Sequence, residues 1–314
     1  MRKKSSILKS FLATASLCGS LLSSFNAAGA LLNVTGSAVL STNSGLSGSF
    51  NSGDSLNIIL GTSANTILAD KDDVVISGIG TTLNLLKYGG VKVSGKNVSI
   101  GALSALVPLN TDFGTLSFTA DKASATITAI GTGNLMFNSV DFAGKNSTLQ
   151  INDNLTIATP IDNTVAAVNG TLNLGNGVTI TKDIGGTNSL LAVNINGSGN
   201  INFGGIVKAK DINLGNSSAN VTATGLVTAP LNYTQGGTFT ASAGIKGNID
   251  FKNQAGTFTL ADNMTITGNI NSTGGVKGTL NSVGGTITGT INNLKLLQCN
   301  GGTDKTLKLQ GDAI

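Results

Sequence analysis

Few side chains in this sequence could do chemistry. Its 314 residues include no His and no Trp, two Tyr (Tyr88, Tyr233) and two Cys (Cys18, Cys299). All 15 acidic residues are Asp, and the single Arg is Arg2. Acid–base work near neutral pH is therefore left to Asp, Lys and Tyr. A Ser-His-Asp triad cannot be assembled. The tightest carboxylate pair is Asp72-Asp73, which could share a proton as a dyad. Its place just before Val74-Val75-Ile76 reads better as a solvated turn entering a strand. A zinc site needs several Cys or His ligands. Calcium rolls carry Asp at a fixed offset in Gly-Gly-x-Gly-x-Asp units, and Gly236-Gly237, Gly274-Gly275 and Gly284-Gly285 lack that offset. Gly197-Ser198-Gly199 opens no helical pattern, so it is a turn and not a phosphate cradle. No catalytic, cofactor-binding or metal-binding residue is assigned, and no enzyme is expected.

Charge points to the N-terminus. The formal net charge is +4, and Arg2, Lys3, Lys4 and Lys9 supply that excess. The other lysines balance the aspartates one for one. A nucleic-acid partner is not expected, because it would need a basic stripe interleaved with aromatics. The basic start, the apolar run from Ile7 to Leu22 and the small-residue boundary Ala28-Gly29-Ala30 form a secretory signal peptide over residues 1–30. Cleavage is expected after Ala30, with Ala28 as the alternative. A membrane anchor would need about 20 apolar residues, and Ser and Thr interrupt this run, so no integral span is expected after signal removal. Cys18 follows Leu17, whereas a lipidated Cys wants a small residue before it. With Cys18 removed, Cys299 has no intramolecular partner.

Residues 31–314 must then be stabilised by packing and backbone hydrogen bonds. Gly numbers 43 against 3 Pro, with 40% hydrophobic and 11% charged residues. Val, Ile and Thr are abundant, which favours short strands and many turns. Strict alternation recurs, as in Thr115-Leu116-Ser117-Phe118-Thr119 and Ala125-Thr126-Ile127-Thr128-Ala129.

A repeat organises these strands. Residues 148–157, 171–180 and 257–266 all obey T-[LF]-x-[IL]-x-[DN]-[NG]-[LVM]-T-I, and a weaker copy begins at Ile212. The central Asp153-Asn154, Asn176-Gly177 and Asp262-Asn263 tolerate the left-handed backbone of a tight turn. A second motif, G-N-[IL]-x-F, occurs at residues 133–137, 199–203 and 247–251. The first two long units begin 23 residues apart and the third 86 later. Read as four periods of about 21–22 residues, that spacing falls in the solenoid range. The expected fold is all-β, a right-handed parallel β-helix over 31–314, with Leu149 stacked on Leu172 and Ile151 on Leu174.

Phrases such as Gly268-Asn269-Ile270-Asn271 and Gly285-Thr286-Ile287-Thr288-Gly289-Thr290-Ile291-Asn292-Asn293, with the signal peptide, make the chain resemble the passenger regions of rickettsial surface-antigen autotransporters. The resemblance implies a β-helical passenger displayed by a Gram-negative bacterium in the periplasm, on the cell surface or outside the cell. It implies adhesion, with a host-cell surface protein or glycan as partner. Such proteins end in an amphipathic barrel with aromatic girdles, and nothing in 31–314 reads as one. The passenger-like region therefore looks incomplete at its C-terminus. The alternatives are a polysaccharide-acting β-helix enzyme and a non-functional remnant of a split gene. Because residues 306–314 open a repeat without finishing it, Ile287, Ile291, Leu294 and Leu296 are expected to be partly exposed, giving an edge for self-association beside Cys299.

Overall fold

The computed structural model describes residues 112–127, 136–300 and 305–311, and by backbone alone the strands lying between Leu32 and Ala102. Residues 1–30, with Cys18, Ala28 and Ala30, and also Asp72 and Tyr88, lie outside the described residues. The chain divides into two compact units, 1–148 and 149–314. Every described strand pairing is parallel, and the described residues contain no helix.

In the first unit, one sheet stacks Leu32–Val34, Ser55–Ile58, Asp73–Ile76, Gly90–Val93, Asp112–Phe118 and Met136–Asp141. Its register aligns Leu32, Leu56, Val74, Val91, Leu116 and Val140 in one column. A second sheet aligns Ala38, Ile67, Leu83, Ile100 and Ile127. Successive strands of one sheet are separated in sequence by a strand of the other, so each coil contributes one rung to each sheet. Alternation places Leu116 and Phe118 inside and Ser117 outside. The Phe118 ring stacks on Phe142 with centroids 5.0 Å apart. Asp73 is the first residue of its strand, opposite Ser55 and Gly90.

The second unit is a three-sided solenoid. Its first sheet carries short rungs at Ile161–Asp162, Val207–Lys208, Val227–Thr228, Ile245–Lys246 and Thr265–Thr267. The second carries Thr148–Ile151, Asn169–Leu174, Leu190–Ile195, residues 211–214, Leu231–Tyr233, Ile249–Asp250 and Ile270–Asn271. The third has eight strands: Thr156–Ile157, Thr179–Ile180, Gly199–Phe203, Ala219–Ala223, Thr238–Ala241, Thr257–Leu260, Thr279–Ser282 and Leu296–Cys299. The chain visits second, third and first sheet in turn. Each visit points one or two apolar side chains inward, where they stack on their counterparts in the next coil. Val193, Ile212, Leu231, Ile249 and Ile270 form one such column and are fully buried. The aromatics stack likewise, Tyr233 on Phe251 at 4.5 Å and Phe239 on Phe258 at 6.0 Å. Stacked identical faces explain how a chain with 4% aromatics builds a dense core.

The solenoid expectation holds, and the first two repeat units stack as expected. Thr148–Ile151 neighbours Asn169–Leu174, with the Gly175 amide donating to the Ile151 carbonyl. Their turns then lead into Thr156↔Thr179 and Ile157↔Ile180. All three turns adopt the left-handed backbone, with φ of 58° at Asn154, 62° at Gly177 and 58° at Asn263.

The third copy corrects the period. Thr257–Leu260 lies in the third sheet, not the second, and its turn leads into the first sheet. The 86-residue spacing therefore spans four coils and one extra side. The G-N-[IL]-x-F motif behaves the same way: residues 199–203 sit in the third sheet, and Ile249 of the 247–251 copy sits in the second. These motifs encode a strand meeting a corner, and every corner of a three-sided coil makes the same steric demand. Coil lengths vary too, from Ile157↔Ile180 at 23 residues to Ser282↔Cys299 at 17.

The expected exposure holds in part. Leu296 is exposed and Leu294 half-buried, as expected, and Leu297 and Leu309 are exposed as well. Ile287 and Ile291 differ: both are buried, and Leu307–Leu309 pairs alongside and places Leu309 on Ile287.

Candidate functional site: the outer faces of the coils

Pleating gives every inward residue an outward neighbour, so stacked coils turn single outward positions into rows. In the second sheet the register aligns Asn173, Asn194, Asn213, Asn232, Asp250 and Asn271. The amides bond along the row. Asn194 Nδ2 donates to Asn173 Oδ1 at 2.8 Å, and Asn213 Nδ2 to Asn194 Oδ1 at 2.9 Å. Asn232 Nδ2 donates to Asn213 Oδ1 at 3.3 Å and to Asp211 Oδ1 at 3.2 Å. An amide has one acceptor and two donors, so each link uses one of each and the row largely satisfies itself.

Corners are stitched in the same way. Asp153 accepts the Asn176 backbone amide at 2.8 Å and its Nδ2 at 2.6 Å, and Asn176 Oδ1 accepts the Ser198 amide and hydroxyl. At another corner Asn248 Oδ1 takes the Asn269 amide at 2.9 Å, and Asn269 Oδ1 takes the Thr290 amide at 3.0 Å. Here coils approach so closely that a Cβ on Gly268 would collide with the Gly247 carbonyl. That contact explains the recurring Gly-Asn pair.

The third sheet differs. Its outward positions form two columns, Asn200, Asn220, Thr238, Thr257 and Thr279 beside Asn202, Thr222, Thr240, Thr259 and Asn281. None is ionisable. Asn220 Nδ2 donates to Asn200 Oδ1 at 2.9 Å, but the Thr222, Thr238, Thr240, Thr257, Thr259 and Thr279 hydroxyls bond to no other protein group. The Asn281 Oδ1 is buried and has no partner. Charge lies on other sides, with Lys208 and Lys246 in the first sheet and Asp211 and Asp250 in the second.

Of the residues singled out for chemistry, Tyr233 is fully buried and donates its hydroxyl to the Thr257 carbonyl at 2.8 Å. Burial disfavours the phenolate and raises its pKa well above the ordinary 10.0. Tyr233 is thus a core residue. Cys299 is a free, exposed thiol at the end of the last third-sheet strand. Among the described residues no three His, Cys, Asp or Glu gather as metal ligands, and no helix is long and apolar enough to cross a membrane. The outward rows escaped sequence reasoning. Their signal was the Thr-Phe-Thr pair at 238–240 and 257–259, which becomes a surface only when the coils are registered.

Compared with models of known families, with curated proteins and with solved structures, the chain finds no match.

Proposed function

We propose that this chain is an exported structural and adhesive β-solenoid that works by presenting outward rows of side chains, not by catalysis. The observation that carries the reading is the register itself. Coils stacked in parallel convert modest Asn and Thr positions into two-dimensional arrays, the kind of extended surface solenoids use for contact. The basic, apolar and small-residue order of residues 1–30 supports export with cleavage after Ala30 or Ala28. The resemblance to rickettsial passengers supports display by a Gram-negative cell and contact with a host-cell protein or glycan. Leu296 and Leu297, exposed on the strand that carries Cys299, and the exposed Leu309 of the first sheet support self-association.

The test has two arms. Protein from the producing cell should begin at Leu31 or within a few residues, and protease added to intact cells should degrade it. Purified protein should then bind host-cell monolayers saturably. A chain beginning at Met1 and shielded inside the cell contradicts export. An exported chain that binds no cell surface contradicts adhesion alone.

A further inference from the structure

We propose that the outer face of the third sheet is an ice-binding surface, whose ligand is an ordered lattice of water. The case begins with geometry. Straight parallel register runs from Asn220–Thr222 through Thr238–Thr240 and Thr257–Thr259 to Thr279–Asn281. Rungs of a parallel sheet lie about 4.8 Å apart, and alternate residues along a strand about 6.6 Å apart. The face is therefore a rectangular grid of hydroxyl and amide groups. Sheets normally twist, and flat ones need stacking to hold them. Here Phe239 and Phe258 stack directly behind the central rungs, with centroids 6.0 Å apart and ring planes 5° apart.

Chemistry then selects the occupant. The grid carries no charge, while lysines and aspartates of the same coils lie on the other two sheets. A phosphate, a nucleic acid or an acidic peptide would meet no complementary group there. A flat sugar surface is usually gripped by aromatic rings, yet Phe203, Tyr233, Phe239, Phe251 and Phe258 all point inward and are buried. What the face offers is neutral, repeats in two directions and can both donate and accept at each hydroxyl. Ice has the same properties. The threonine hydroxyls are unspent, in contrast to the self-bonded amides of the second sheet. Each threonine also presents a methyl group, which orders neighbouring water without competing for its hydrogen bonds. Immobilising water that is already ordered in a crystal costs little entropy.

The experiment uses purified protein in dilute buffer seeded with ice. The expected results are a freezing-point gap below the melting point, faceted crystals, and retention in a slowly growing ice front. The double variant Thr240→Lys, Thr259→Lys should lose at least tenfold in that gap while keeping the β-sheet circular dichroism spectrum. The control Thr228→Lys, on the first sheet, should retain it. Wild-type protein that gives no gap and is excluded from ice overturns the proposal, whatever the variants do. So does a control as inactive as the double variant. Retention on an insoluble neutral polysaccharide without retention in ice also overturns it, and reassigns the face to sugars.

Discussion

The second and third sheets of the solenoid are built from the same coils and a shared core, yet their outer faces handle polar groups in opposite ways. On the second, Asn173, Asn194, Asn213 and Asn232 consume their hydrogen-bonding capacity on one another. On the third, the threonines from Thr222 to Thr279 leave theirs to the surroundings. One face therefore ties coil to coil, and the other is free to meet something else. An asparagine amide has both donor and acceptor and bridges the rung spacing of about 4.8 Å along the second sheet. Hydroxyls on adjacent rungs can also meet, as Thr115 and Ser139 do at 2.9 Å in the first unit, but those of the third-sheet threonines do not.

Substitutions can separate the two faces from the core they share. The largest effect should come from Leu172→Asp, which puts a carboxylate in a fully buried column beneath the second sheet. It should cost about 4 kcal/mol or more, seen as a collapse of the urea midpoint. Next is Gly278→Ala, at the entry to a third-sheet strand, where the added Cβ would overlap the Phe251 ring. Overpacking of this kind costs about 2–3 kcal/mol, and melting should report it.

The comparison itself is tested by Asn213→Ala against Thr240→Ala. Removing Asn213 strands the Asn194 acceptor and leaves the Asn232 amide only its bond to Asp211, and should cost about 1.5 kcal/mol. Removing the Thr240 hydroxyl breaks no bond within the protein and should stay within about 0.5 kcal/mol. Equal losses would erase the distinction between the faces.

A smaller effect belongs to Tyr233→Phe, which deletes the bond to the Thr257 carbonyl and should cost about 1 kcal/mol. Its pH dependence has a definite sign. Burial holds the Tyr233 proton more tightly in the folded state than in the unfolded one. The associated stability is complete below the unfolded value, near 10, and falls as pH rises above it. The Phe variant should therefore show a flatter alkaline limb in a pH series of melts.

Much of this was legible in the sequence, for identifiable reasons. Alternation in 115–119 and 125–127 marked inward residues, and Asn154, Gly177 and Asn263 marked left-handed corners. What could not be read was which side of the coil each corner serves. Thr257-Phe258-Thr259-Leu260 and Thr171-Leu172-Asn173-Leu174 share a pattern because both are half-buried strands before a tight turn, yet they occupy different sheets. The side depends on the summed lengths of intervening loops such as 163–168 and 272–278, which no local rule fixes. For the same reason the rows were invisible, since Thr240 and Thr259 become neighbours only after a coil of 19 residues is closed.

The most direct measurement asks what lies beside Thr259. In a Cys299→Ser background, the pair Thr240→Cys, Thr259→Cys places cysteines on adjacent rungs of the third sheet, within the Cα separation a disulfide spans. The pair Asp250→Cys, Thr259→Cys places them on consecutive strands that belong to different sheets. Parallel coils predict rapid oxidation of the first pair within one chain and none of the second. Crosslinking of 250 to 259, with none of 240 to 259, would mean that consecutive strands fold back as a hairpin, and would contradict the solenoid.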